Sequence, residues 1–122
     1  MKIAIVDDSE LCLEMMGKFL LSAGHEVLSM LVYANRPDTE KNFGDLKAWN
    51  PDLILLDHYL GNMVFTGKEF AQGCGFPEER LVGISSDPHN HQAYCGLRSR
   101  SNNTDLEVLL KEIACLEVRL KH

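Results

Sequence analysis

Short apolar runs alternate along the chain with longer segments in which apolar residues recur at helical spacing. The runs are rich in Ile, Leu and Val and have no polar face, which is typical of strands buried on both sides of a parallel sheet. This pattern predicts strands at residues 2–6, 26–33, 52–57, 80–85 and 96–101. The last of these is polar, so we expect it at an edge of the sheet.

Helices are predicted between the strands, and the sequence carries start and stop signals for several of them. Ser9 is a suitable N-cap for a helix over 9–22, and Gly24 is suitable for ending it. The expected apolar side of this helix comprises Leu11, Met15, Met16, Phe19 and Leu20. Further helices are predicted over 38–49, near 66–73, after Asp87-Pro88 and over 104–120, with a loop over 58–67. Strands separated by helices favour a doubly wound α/β sheet with helices on both faces.

Acidic residues follow two of the predicted strands. Asp7 and Asp8 follow the first strand and Asp57 ends the third, while Ser85 ends the fourth. If the first and third strands are neighbours, three carboxylates meet at the carboxyl edge, where ligands bind in such sheets. One acid after a strand is ordinarily a helix cap or a solvated loop residue. Three carboxylates at one edge repel one another unless a cation lies among them, and these hard oxygen ligands suit Mg²⁺.

Composition restricts the classes of protein to consider. The 122 residues carry 18 acids against 12 bases, a net charge of −6, which argues against a nucleic-acid surface. No apolar run is long enough to cross a bilayer, and "MKIAIVDD" is not a signal peptide. We therefore expect a single domain over 1–122, cytoplasmic, with neither nucleic acid nor membrane as a partner.

Three segments, "IAIVDDSELCLEMMGKFLLSAGHEV", "PDLILLDHYL" and "LVGISS", resemble the receiver domain of two-component response regulators in the CheY-like superfamily. The resemblance implies a flavodoxin-like (βα)₅ sandwich with a parallel sheet in the order 2-1-3-4-5. It also implies that Asp57 accepts a phosphoryl group from a histidine kinase or phosphotransfer protein. Receiver domains are signalling modules rather than enzymes, and the resemblance implies a downstream protein target.

The resemblance also assigns roles around Asp57. Asp7, Asp8 and Asp57 are the implied Mg²⁺ ligands, with the backbone carbonyl of Tyr59 as a further ligand. The hydroxyls implied to bind the phosphoryl group and to move on activation are those of Ser85 and Ser86.

The chain departs from the family near its fifth strand. Receiver domains carry a lysine there that pairs with the phosphoryl group, but no lysine lies between Lys68 and Lys111. Arg98 and Arg100 are candidates for a substitute cation, although a guanidinium differs from an ammonium point charge. Three interpretations therefore stay open: a phosphorylated receiver, a pseudo-receiver that binds proteins without phosphorylation, and a flavodoxin-like domain that binds a small ligand.

A second apolar line runs along the last predicted helix, beside its main stripe. It consists of Val108, Cys115 and Val118. Receivers use such a surface for dimerisation, so a homodimer is among the partners to test, with partial burial as the alternative.

Overall fold

The structure is a computed structural model that describes residues 1–32, 39–56, 59–60, 65–66, 70, 72–83 and 106–121. Its elements, in chain order, are β1 (Lys2–Asp7), α1 (Glu10–Ser22), β2 (Glu26–Leu31), α2 (Thr39–Trp49), β3 (Leu53–Leu56), β4 (Tyr59–Leu60), β5 (Phe65–Thr66), a 3₁₀ turn (Glu78–Arg80), β6 (Leu81–Gly83) and α3 (Leu106–Lys121).

Four of the strands form one parallel sheet in the order β2-β1-β3-β6. Because β6 is the fourth strand of this sheet, the expected order 2-1-3-4 is confirmed. Residues 96–101, predicted as the fifth strand, lie outside the described residues. The most apolar strands, β1 and β3, are the two inner ones, which explains why they lack a polar face.

Two hydrophobic clusters cover the two faces of the sheet. Side chains of β1 alternate between them: Ile3 and Ile5 pack with α1 and α3, and Ala4 and Val6 pack with α2. All four are at most 1% exposed. The helices thus lie on both faces, which confirms the predicted doubly wound α/β, flavodoxin-like architecture.

Helix α1 begins and ends where the sequence predicts. The Ser9 side chain accepts a hydrogen bond from the Cys12 N–H at 3.3 Å, which satisfies a donor of the first turn. Gly24 adopts a φ of 93°, a conformation that residues with a Cβ rarely take.

The predicted apolar side of α1 is partly wrong. Leu11 and Met15 are 66% and 42% exposed. The buried residues are Leu13, Met16, Gly17 and Leu20. They are spaced i, i+3, i+4 and i+7, and small Gly17 lets the helix approach β2, so this stripe faces the sheet.

A short antiparallel hairpin replaces part of the loop predicted over 58–67. Tyr59 pairs with Thr66 and Leu60 with Phe65. Tyr, Phe and Thr favour strands, which explains the pairing. The helix predicted to start at 66 therefore begins later in the chain: Phe70 is helical, as are residues 72–73.

The last helix, α3, is confirmed within two residues of its predicted bounds. Its residues Ile113 and Leu116 are buried against the α1 side of the sheet. On the second apolar line, Cys115 is exposed and Val118 is 62% exposed. These two residues therefore lie at the surface of the protein.

Candidate functional site

The first two predicted site residues lie where β1 leads into α1. Asp7 is the last residue of β1 and is only 8% exposed, and its Oδ1 accepts a hydrogen bond from the Ser9 N–H at 3.0 Å. Asp8 is half-buried in the bend that follows. Both carboxylates thus lie close to the amino end of α1, where the helix dipole favours negative charge.

The strand register brings the carboxyl ends of the inner strands together. Val6 pairs with Leu56, and Leu56 also pairs with Gly83. Asp7 follows Val6 in the sequence as Asp57 follows Leu56, so the two aspartates are one residue beyond the same strand pair. Asp57 itself lies outside the described residues.

Tyr59, whose backbone carbonyl is a predicted ligand, begins β4. Its backbone is paired with Thr66 in the hairpin, two residues along the chain from Asp57. The pairing restricts the backbone conformation at Tyr59, which is favourable for a carbonyl oxygen that is predicted to bind a metal ion. The ligand role of the carbonyl stays a prediction.

The remaining predicted site residues lie outside the described residues: Ser85, Ser86, Arg98 and Arg100. Across the described ranges, no three His, Cys, Asp or Glu residues are grouped closely enough to hold a metal ion. The structure places Asp7 and Asp8 at the carboxyl end of β1, and the roles of all the predicted site residues stay predictions.

The hydrogen bond between Ser9 and Asp7 is a feature that the sequence reasoning missed. That reasoning assigned Ser9 alone to the start of α1, whereas Asp7 also holds the turn. The signal for it is the sequence Asp-x-Ser before a helix, because an aspartate side chain readily accepts from the backbone N–H two residues on.

The sequence reasoning also missed a groove of about 630 Å³ at the outer edge of the sheet. It lies between β2 and α2. No single residue type in the sequence signals it, because it depends on how far α2 lies from the sheet edge.

The helices that the structure describes include none with the length and apolar character of a transmembrane span.

No protein-family model matches the sequence, and no curated protein matches it. Solved structures do match. The chemotaxis protein CheY4 of Vibrio cholerae has a TM-score of 0.71 at 22% identity, over 94% of this chain and 97% of that one. The signal receiver domain of a modulated diguanylate cyclase from Desulfovibrio desulfuricans has a TM-score of 0.71 at 22% identity, over 98% and 95% of the two chains.

A third structure is the response regulator TrrA of Thermotoga maritima, in complex with Mg²⁺-BeF. It has a TM-score of 0.69 at 20% identity, over 94% of this chain and 97% of that one. At these identities the likeness concerns the fold, and it extends over nearly the whole of each chain. The resemblance seen in the sequence is therefore confirmed at that level: this chain has the fold of response-regulator receiver domains.

Proposed function

We propose that residues 1–122 act as a receiver domain whose Asp57 accepts a phosphoryl group from a histidine kinase or phosphotransfer protein. The observation that supports this most is the strand register at the carboxyl edge. Asp7 and Asp57 are each one residue beyond the Val6–Leu56 pair, and Asp8 follows Asp7. In this proposal Asp57, which follows Leu56 in the sequence, is the nucleophile and lies beside the two further acids.

The chemistry follows from these residue types. A carboxylate oxygen of Asp57 attacks the phosphorus of a phosphohistidine, the P–N bond breaks, and an acyl phosphate forms while the imidazole leaves and takes up a proton. The transferred group adds negative charge to a site that already holds Asp7 and Asp8. Catalysis of such a transfer is largely positioning and charge neutralisation.

The acids of the site fit Mg²⁺, which binds hard oxygen ligands and bridges carboxylates to phosphate oxygens. In this proposal Asp7, Asp8 and Asp57 hold the ion, with the carbonyl of Tyr59. When bound, Mg²⁺ supplies positive charge opposite the transferred oxygens. The Ser9 N–H fixes the orientation of the Asp7 carboxylate, so this ligand is oriented before the ion arrives. TrrA, which has the same fold, is known in complex with Mg²⁺-BeF, and this supports Mg²⁺ as the ion of the proposed site.

Two further groups complete the proposed site. The hydroxyls of Ser85 and Ser86 follow β6 in the sequence and bind the phosphoryl oxygens. Arg98 or Arg100 supplies the positive charge that the family takes from a lysine. Phosphorylation then alters the contacts with a downstream protein, so the domain acts as a signalling module.

The test is the intact mass of the protein after incubation with acetyl phosphate, with Mg²⁺ or with EDTA. We expect the wild type to gain one phosphate only with Mg²⁺, and Asp57→Asn to gain none. Asp45→Asn, a change of the same chemistry on the exposed side of α2, is the matched control and should gain phosphate normally. A gain that persists in Asp57→Asn contradicts the proposal, as does no gain when a known receiver is phosphorylated in parallel.

A pseudo-receiver is the second candidate, and the lack of a lysine between Lys68 and Lys111 favours it. Such a module binds its partner without phosphorylation. Absence of phosphate in the experiment above, together with partner binding that Asp57→Asn leaves unchanged, would favour this candidate.

A further inference from the structure

The outer edge of β2 has backbone groups available for hydrogen bonding. On the β1 side, the N–H groups of Glu26 and Val32 donate to the carbonyl oxygens of Met1 and Asp7 respectively. Because the hydrogen-bonding direction alternates along a strand, the odd-numbered residues, Val27, Ser29 and Leu31, present their N–H and C=O groups outward. Within the described part of the chain, no strand pairs with this edge and no backbone hydrogen bond satisfies these groups.

The composition of this edge is unusual for a strand with no neighbour. Exposed edges are commonly blunted by charged residues, proline or a bulge, which prevent another chain from pairing with them. Within β2 the charge is confined to Glu26 at its start: residues 27–31, VLSML, contain neither a charge nor a proline, and their register with β1 is continuous.

Helix α2 forms a wall beside this edge. The groove of about 630 Å³ is lined by residues 28–31 of β2, by Val32 after it, and by one face of α2 that includes Lys41, Asp45, Ala48 and Trp49. Ala48 is small and exposed, so it leaves room in the groove beside Trp49. The Lys2 Nζ donates to the Trp49 carbonyl at 3.3 Å and lies 5.3 Å from the centre of its ring, which fixes the lower end of the wall.

The two walls of the groove match in spacing. From Trp49 to Asp45 the helix rises about 6 Å, and two residues of strand cover about 6.6 Å. Lys2 pairs with Glu26 at the start of β2 and contacts Trp49, so Trp49 lies at the lower end of the groove; because α2 runs opposite to β2, Asp45 lies one turn higher. Side chains two positions apart in a strand lie on the same face. If one such side chain of a strand added at the β2 edge lies near Trp49, the one two positions further along lies near Asp45.

Among the described residues, the groove is lined by one acid, Asp45, with Lys41 one helical turn further along α2, so a basic side chain is favoured beside Asp45 and below Lys41. Asp45 is exposed and has no ion-pair or hydrogen-bond partner among the residues that the structure describes. The lower level is apolar, because half-buried Leu28 and Trp49 line it. The net charge of −6 also favours a basic partner.

We propose that the groove between β2 and α2 binds an extended peptide of a partner protein by strand addition. The peptide pairs with Ser29 and Leu31 and carries an apolar residue two positions from a basic one. A lone strand fits this groove better than a second copy of the chain, whose own α2 would meet the α2 wall. The proposal does not depend on phosphorylation, so it can fail or succeed independently of the proposed function.

The test uses a capped seven-residue peptide, Thr-Val-Thr-Leu-Thr-Arg-Thr, in which Val, Leu and Arg share one face. The control peptide, Thr-Val-Thr-Leu-Arg-Thr-Thr, has the same composition but places Leu and Arg on opposite faces. Binding is followed by the fluorescence of Trp49, the only tryptophan of the chain, up to about 1 mM peptide. The control loses only the contact of Arg with Asp45, so we expect the first peptide to bind about two- to fivefold more tightly.

Two variants with matched controls locate the binding. Asp45→Asn should weaken binding about two- to fivefold, whereas Glu14→Gln on exposed α1 should not. Ala48→Arg fills the groove and should weaken binding at least about tenfold, unlike Ala114→Arg at an exposed position of α3. Hydrogen exchange of the Ser29 and Leu31 amides should slow when the peptide binds.

Three results would overturn the proposal. The first is equal binding, or no binding, of the two peptides. The second is unchanged exchange at Ser29 and Leu31, or equal effects of Ala48→Arg and Ala114→Arg. The third is that the protein without peptide forms a concentration-dependent dimer in which hydrogen exchange of the same two amides is slowed. The edge of β2 would then pair with a second copy of the chain.

Discussion

Asp7 has a structural role as well as a proposed chemical one. Its position at the end of β1 could be predicted, because an apolar run that stops at an acid indicates where a strand reaches the surface. Its hydrogen bond from the Ser9 N–H could not, because it depends on the turn between β1 and α1. The same carboxylate thus holds the start of a helix and belongs to the proposed metal site.

Two substitutions at Asp7 separate these roles. Asp7→Asn and Asp7→Ala both remove the negative charge, but only Asn keeps an oxygen that can accept from the Ser9 N–H. We expect Asp7→Asn to be more stable than Asp7→Ala by about 1 kcal/mol in urea unfolding with EDTA present. Equal stability of the two variants would show that the hydrogen bond contributes nothing measurable.

At the scale of elements, the sequence predicted where α1 begins and ends more reliably than which side of it is buried. Leu11, Met15 and Phe19 are spaced i, i+4 and i+8, which is as regular as the stripe that is buried. What decides is which side packs against the sheet: Leu13, Met16 and Leu20 join the cluster that contains Ile3 and Ile5, and Gly17 lies beside β2 at ordinary contact distance. Such an approach follows from packing and leaves no distinct pattern in one helix.

Substitution by alanine should have opposite effects on stability at two glycines, one inside α1 and one in the turn that follows it. Gly17 is inside the helix, and an added Cβ there meets its neighbours at ordinary contact distance, so Gly17→Ala should raise stability by about 0.5–1 kcal/mol. Gly24 has open space around it but a φ of 93°, so Gly24→Ala should lower stability by about 1 kcal/mol. Urea unfolding measures both, and a stabilising Gly24→Ala would contradict the conformational argument.

At the scale of the whole molecule, the two ends of the sheet differ in chemistry. Acids occupy the carboxyl edge, while His25 lies at the amino edge, where its Nδ1 accepts from the Met1 amino group at 3.0 Å. The alternation of strands and helices predicted the two-faced architecture. The strand order came from the resemblance to receivers, because the pattern of one chain does not say which strands are neighbours.

The surroundings of His25 make stability depend on pH. Desolvation and then the positive charge of the Met1 amino group lower the pKa of His25 from its ordinary 6.5, with Glu117 acting in the opposite direction. The unfolded chain therefore binds a proton at a higher pH than the folded one. Stability from this residue is complete above about pH 6.5 and falls as the pH decreases below it.

The measurement is the free energy of unfolding of the wild type and His25→Gln between about pH 5 and pH 7.5. As the pH decreases, we expect the free energy of unfolding to fall more steeply for the wild type than for His25→Gln. Any advantage in stability that the wild type has near pH 7.5 should therefore become smaller, or reverse, near pH 5. If the two free energies of unfolding differ by the same amount at every pH in this range, His25 is not the source of the pH dependence.

The inner position of β1 has a consequence for the synthesis of the protein. Residues 3–6 are buried between β2 and β3, yet they precede both partners in the chain, and β3 ends only at Leu56. At roughly 5–20 residues per second, a ribosome needs several seconds to translate from Asp7 to Leu56. During that time the most apolar strand of the nascent chain has no complete sheet to enter. It is therefore the segment that we expect a chaperone to recognise first.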